Sequence, residues 1–170
     1  MKLIMSDRPI PGLVLAEDAS FVDLSQAKVA NGVGCFGCWT KTPGKCVIRD
    51  EATKIYPLIA ESDRVIYVSR LAYGGYDLPM KKMLERAIPI QQAFIRLVDG
   101  ETHHVQRAVA PKEALIVAYG EYPEEERQLF LELVAQNAKN MNFKNYRVLF
   151  VPEEEVGEAV GKEVMRWRES

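Results

Sequence analysis

Three short stretches hold the residues of this chain that could do chemistry. The first is Tyr73-Gly74-Gly75-Tyr76, two flat phenolic rings around glycines whose backbone amides stay uncovered. That combination suits a planar heteroaromatic ligand, and it equally describes a crossover loop whose tyrosines cap the core. The second is Cys35-x-x-Cys38 followed by Cys46. A structural zinc takes four soft ligands, usually in two pairs, so this set is incomplete unless folding brings in His103 or His104. An iron–sulfur cluster lacks its fourth ligand in the same way. A redox-active thiol pair needs a lowered pKa, and a tight turn held by small, half-buried cysteines has the same spacing. The third stretch is His103-His104, whose imidazoles suit a proton donor or substrate contact as well as packing or an interface. No nucleophile–base pair of recognisable spacing and no P-loop is present, so no catalytic residue is assigned.

The elements that must position these residues alternate between strand and helix. Val65-Ile66-Tyr67-Val68 has the composition of a strand buried on both faces, and Gly74-Gly75 ends its regular structure. Asp77 is placed to cap a helix opened by Leu78-Pro79, with Met80, Met83, Leu84, Ala87 and Ile88 on one face. Lys81 and Arg86 read as surface ion-pair partners on that helix, Lys81 with Glu85. Lys2–Ser6, Leu13–Leu15 and Phe21–Leu24 are short strand candidates before a glycine-rich loop over 31–45. An amphipathic helix kinked at Pro57 spans 50–62. The segment 89–111 is irregular apart from a turn at Asp99-Gly100. Ala114–Tyr119 is a buried strand ended by Gly120. A helix over 124–141, a strand over 146–151 and a closing helix after the acidic run at 153–155 follow. Such alternation implies an α/β layered fold around a parallel sheet, of the smaller doubly wound form.

At 170 residues, the chain is expected to be a single domain over 1–170 with one sizeable core. Its 22 basic and 24 acidic residues give no electrostatic reason to expect nucleic acid or an anionic membrane as partner. No apolar run reaches the length of a membrane span, and the first residues lack the layout of a signal peptide. The three cysteines, an odd number, fit a reducing compartment, so a cytoplasmic location is expected.

The middle of the chain resembles the flavodoxin-like NAD(P)H-dependent FMN oxidoreductases, the FMN-reductase family. The matching text is Cys35-Phe36-Gly37-Cys38-Trp39, Thr42-Pro43-Gly44-Lys45-Cys46 and Asp50. It continues in Ser62-Asp63, Tyr73-Gly74-Gly75-Tyr76, Lys81, Glu85-Arg86, Ile88-Pro89 and Gly100-Glu101-Thr102-His103-His104. The resemblance implies a three-layer, five-stranded parallel sheet in flavodoxin order with FMN at its carboxyl edge and NAD(P)H as co-substrate. It places Ser69, Arg70, Leu71, Tyr73, Gly74, Gly75 and Tyr76 against the flavin ring, with Gly120 and its neighbours flanking it. It also implies a dimer with the flavin near the subunit interface.

Two departures stand out. Where such proteins open a helix that holds the FMN phosphate, this chain has Ser6-Asp7-Arg8-Pro9, with Pro11 close behind. Prolines remove donors, Asp7 repels phosphate, and too few residues precede Phe21 for a crossover helix. The first crossover helix is therefore expected to be missing, and the phosphate loop with it. Arg70 stands where the family usually has proline, offering a positive charge to a ring or phosphate, or a salt bridge. Two functions follow: a flavin-dependent oxidoreductase, or a flavin-free relative acting as a binding or assembly subunit beside a partner chain.

Overall fold

The computed structural model describes residues 1–169. Its elements in chain order begin with β1 (Lys2–Ser6), β2 (Ala19–Asp23), α1 (Gly37–Thr40) and α2 (Ala52–Glu61). Next come β3 (Arg64–Ala72), β4 (Gly75–Tyr76), α3 (Leu78–Glu85) and a 3-10 turn at Ile88–Ile90. The remainder is β5 (Gln91–Val98), β6 (Glu101–Gln106), β7 (Lys112–Tyr119), α4 (Glu124–Asn140), β8 (Phe143–Val151), a 3-10 turn at Glu153–Glu155 and α5 (Val156–Glu169).

The main sheet runs β2-β1-β3-β7-β8, every one of these pairs parallel, which is the doubly wound flavodoxin order. Side chains alternate across it. Leu3, Met5, Val65 and Tyr67 face a core built with Ile55 and Ile59 of α2, Met80 and Met83 of α3, and Phe130 and Val134 of α4. Ile4, Ile66, Val68, Leu115 and Val117 face the other way, onto Val156, Val160, Val164 and Trp167 of α5. The result is three layers.

The second face shows what replaces the missing crossover. Among the described residues no helix lies between β1 and β2; an irregular strap over 7–18 crosses there instead. It buries Ile10, with Leu13 packed beside it, into the α5 core. It is tied down by Arg168, whose guanidinium donates to the carbonyls of Val14 (3.1 Å) and Leu15 (2.9 Å). Leu13–Leu15 is thus not a strand: Pro9 and Pro11 precede it, and Leu13 N–H closes a turn onto Ile10.

Other expectations shift as well. Gly74-Gly75 does not end regular structure, because Gly75 and Tyr76 pair back antiparallel onto Ala72 and Leu71. The segment after Pro89 is an antiparallel ribbon, β5 with β6, turning at Asp99-Gly100. Phe94, Ile95 and Leu97 are exposed on it, so it lacks the apolar pattern of a buried strand. The glycine-rich loop contains the single helical turn α1. Asp77 caps α3 as expected, accepting from Leu78 N–H at 2.7 Å. Among the described residues no helix is long and apolar enough to cross a membrane.

Candidate functional site

Ligands of doubly wound sheets sit outside the carboxyl ends of the strands, at the switch point where the strand order reverses. Here that point lies between β1 and β3. Strand β1 runs straight into Asp7, whose own N–H donates to Val68 O at 3.1 Å and so continues the pairing with β3. The Asp7 side chain then crosses the switch point. Its Oδ2 accepts Arg70 N–H at 2.6 Å, and its Oδ1 accepts the Tyr119 hydroxyl at 2.9 Å. Burial pushes the Asp7 carboxyl above the usual carboxylate range, against the pull of these donors. Burial and the nearby Asp7 push the Tyr119 phenol up in turn.

The cations beside this carboxylate are occupied. Arg8 donates to Glu153 at 2.6 Å and lies 5.3 Å from the centre of the Tyr119 ring. Arg70 lies 3.7 Å from the other oxygen of Glu153. Beyond Arg70 an open groove of about 870 Å³ continues along the sheet edge, lined by Gly120, Glu121, Tyr122, Arg127 and Phe150 among others.

The residues expected at a flavin ring do not form one surface. Arg70 and Gly120 share the groove, and a Cβ at Gly120, whose φ is 110°, would lie 3.4 Å from Arg70 Cγ. Ser69 is buried; its hydroxyl accepts from Asp77 N–H at 3.1 Å and ties the loop to α3. Leu71 points into the core under the helices. Tyr73 stands 96% exposed at a φ of 52°. Gly74 has its N–H on Glu126 at 3.1 Å, and a Cβ there would lie 2.9 Å from that of Leu129. Tyr76 does cap the core, edge-on to Phe130 at 4.9 Å. With Gly75 it borders a second cavity, about 350 Å³, between α3, α4 and the ribbon.

The ribbon brings His104, but not His103, to the lining of that second cavity. His103 is buried, its ring nitrogens 3.1 Å from Glu101 and 3.0 Å from Asn140. Hydrogen bonds from Lys139 and His103 hold the Glu101 carboxyl down at about 2. His104 lies against Trp39, with ring centres 4.6 Å apart, and its buried Nδ1 has no partner. The pair serves packing at least as much as chemistry.

Cys35, Cys38 and Cys46 are free thiols bordering one small cavity with Arg86. Burial, and then Cys46, push the Cys38 thiol up, which is the opposite of activation. Among the described residues no three His, Cys, Asp or Glu side chains converge to hold a metal ion. Three thiols also fall one short of the usual four-cysteine cluster.

Arg86 is not a surface residue. Its guanidinium is buried and grips Asp50 with two hydrogen bonds of 2.7 and 2.9 Å, and donates to Ala30 O at 2.8 Å. It pins the chain on both sides of the glycine-rich loop, at Ala30 and Asp50, to the end of α3. Lys81 does pair with Glu85 on the surface, at 3.2 Å. Sequence reading missed the bonding role of Asp7; the one clue was its place directly after the first strand.

No family model matches the chain. An iron-sulfur flavoprotein of Methanocaldococcus jannaschii is 29% identical over 77 residues, which are 45% of this chain and 39% of that protein. An iron-sulfur flavoprotein of Archaeoglobus fulgidus is 35% identical over 68 residues, 40% of this chain and 30% of that protein. The matches thus span well under half the length of these curated relatives. The solved azoreductase AzrA superposes with a TM-score of 0.59 at 12% identity, over 97% of this chain and 93% of that one. An FMN-dependent NADH-azoreductase from Bacillus anthracis, solved with FMN, gives 0.57 at 11%, over 97% and 95%. An NAD(P)H:quinone oxidoreductase from Methanothermobacter marburgensis gives 0.56 at 10%, over 99% and 92%. At these identities the likeness to the solved structures is one of fold, and that fold is flavodoxin-like.

Proposed function

We propose, from the flavodoxin-like fold, that the chain is a flavin-dependent oxidoreductase that takes hydride from NAD(P)H, with FMN as the flavin of its fold neighbour. One observation carries this reading. A groove at the carboxyl edge lies open beside Arg70 of β3, between the segments that follow β7 and β8, wide enough for a flat ring. On the ring side, Arg70 and Gly120 line that groove, and Tyr73 and Gly74 stand outside its lining at the loop tip. Ser69, Leu71 and Tyr76 support the loop from beneath. The phosphate side does not fit, because no helix N-terminus follows β1 and Asp7 holds the donors there. When bound, the flavin supplies the hydride chemistry, and the protein supplies position and charge. A single cytoplasmic domain that dimerises completes the proposal.

A visible spectrum of the purified protein, before and after adding FMN or riboflavin and desalting, tests it. A retained flavin band bleached by NADH or NADPH is the expected result. A protein that never holds flavin and never oxidises NAD(P)H overturns it. The filled phosphate side favours a second reading, a flavin-free subunit that works beside a partner chain. That reading fails if the purified protein is a strict monomer that turns over NAD(P)H alone.

A further inference from the structure

We infer that Asp7 is a specificity residue: it serves as the crevice's own anion, so the flavin this chain takes is one without a phosphate, of the riboflavin class. The inference rests on the reading that the chain binds flavin. Its basis is the count of donors at the switch point. A phosphate bound there needs unpaired N–H groups or cationic side chains. The β3 amide facing the crevice, Arg70 N–H, already donates to Asp7 at 2.6 Å, and the hydroxyl on β7, Tyr119, donates to it at 2.9 Å. The two guanidiniums at the crevice, Arg8 and Arg70, already face Glu153. Each of these four groups already faces a carboxylate of the same chain. Pro9 and Pro11 supply no N–H at all.

An incoming phosphate monoester would therefore meet two carboxylates at this point, with Arg70 N–H and the Tyr119 hydroxyl already engaged by one and both guanidiniums drawn toward the other. Asp7 is 9% exposed and held from two strands, so it cannot swing aside without orphaning Arg70 N–H. A ribityl chain ending in a hydroxyl brings no charge. It can share Asp7 as an acceptor, so the same carboxylate that rejects FMN accepts riboflavin.

The test is a pair of fluorescence-quench titrations, riboflavin and FMN, on the full chain and on Asp7→Asn. Asparagine keeps an acceptor for Arg70 N–H and removes the charge. The wild type is expected to bind riboflavin at least as tightly as FMN. Asp7→Asn should shift the FMN-to-riboflavin affinity ratio toward FMN by about tenfold, the scale of one like charge at close range. Tyr119→Phe, which leaves the charge in place, should keep the wild-type ratio and so separates charge from disturbance of the loop. A wild type that prefers FMN tenfold overturns the inference while leaving the flavin reading intact. An unchanged ratio in a folded Asp7→Asn protein overturns it too. If neither flavin binds to either protein, the flavin reading itself fails and takes the inference with it.

Discussion

Two aspartates in this molecule, Asp7 buried and Asp50 half-buried, have both carboxylate oxygens bonded, yet they sit in opposite electrostatic settings. Asp50 meets a guanidinium: Arg86 bonds both its oxygens, and Ala30 N–H adds a third contact at 2.8 Å. Burial raises its pKa, but these bonds outweigh it and the net shift is downward. Asp7 meets only neutral donors, a backbone N–H and a phenol, and burial wins. The difference separates a fastening from a filter. An ion pair between the end of α3 and the chain beside the glycine-rich loop fixes structure, whereas an uncompensated carboxylate at the mouth of a crevice projects its charge onto whatever enters.

The contrast can be broken most decisively at Arg86. Arg86→Met strands the Asp50 carboxylate and the carbonyl of Ala30, and should cost about 3–5 kcal/mol in denaturant unfolding. A loss below about 1 kcal/mol would show that the loop is held by something else. Asp7→Ala leaves Arg70 N–H and the Tyr119 hydroxyl without partners and should cost about 1–3 kcal/mol by the same measurement. If it cost as much as Arg86→Met, the division between fastening and filter would collapse. Tyr119→Phe removes one donor from Asp7 and should cost about 0.5–1.5 kcal/mol.

The smallest effect is a pair of opposed pH slopes. The raised Asp7 pKa means that the native state holds its proton more tightly than the unfolded chain. That contribution is fully present below the unfolded value and is lost as pH rises through the folded one. For Asp50 the sign reverses: its contribution is present above the unfolded value and is lost as pH falls through the folded one. Thermal melts from about pH 3 to about pH 7 should show Asp7→Asn flattening the first trend and Asp50→Asn the second. Identical slopes in the two variants would contradict the assignment.

What the sequence makes legible is local. The buried strand β3, the Asp77 cap and the helix after it are all written within 25 neighbouring residues, 62–86. The lost crossover is written in Pro9, Pro11 and the short spacing before β2. The partners of Asp7 are not legible, since they lie 63 and 112 positions away and become neighbours only through sheet order. The same holds for Arg86 and Asp50, 36 positions apart. Tyr73 and Tyr76 look interchangeable on the page. The pairing of Gly75-Tyr76 back onto β3 sends one ring into the core and leaves the other in solvent. The ribbon β5–β6 escaped notice because its strands carry exposed apolar residues rather than a buried face.

That ribbon also governs how the protein behaves in a tube. A two-stranded sheet is marginal alone, and this one is held by two side-chain bonds to the last carbonyl of α4, from Gln91 (2.9 Å) and Gln106 (2.7 Å) to Asn140. Phe94, Ile95 and Leu97 sit on it in the open, interrupted by Arg96 alone. Arg96 is the one charge between these exposed apolar side chains, and Arg96→Val is expected to raise concentration-dependent light scattering of the purified protein.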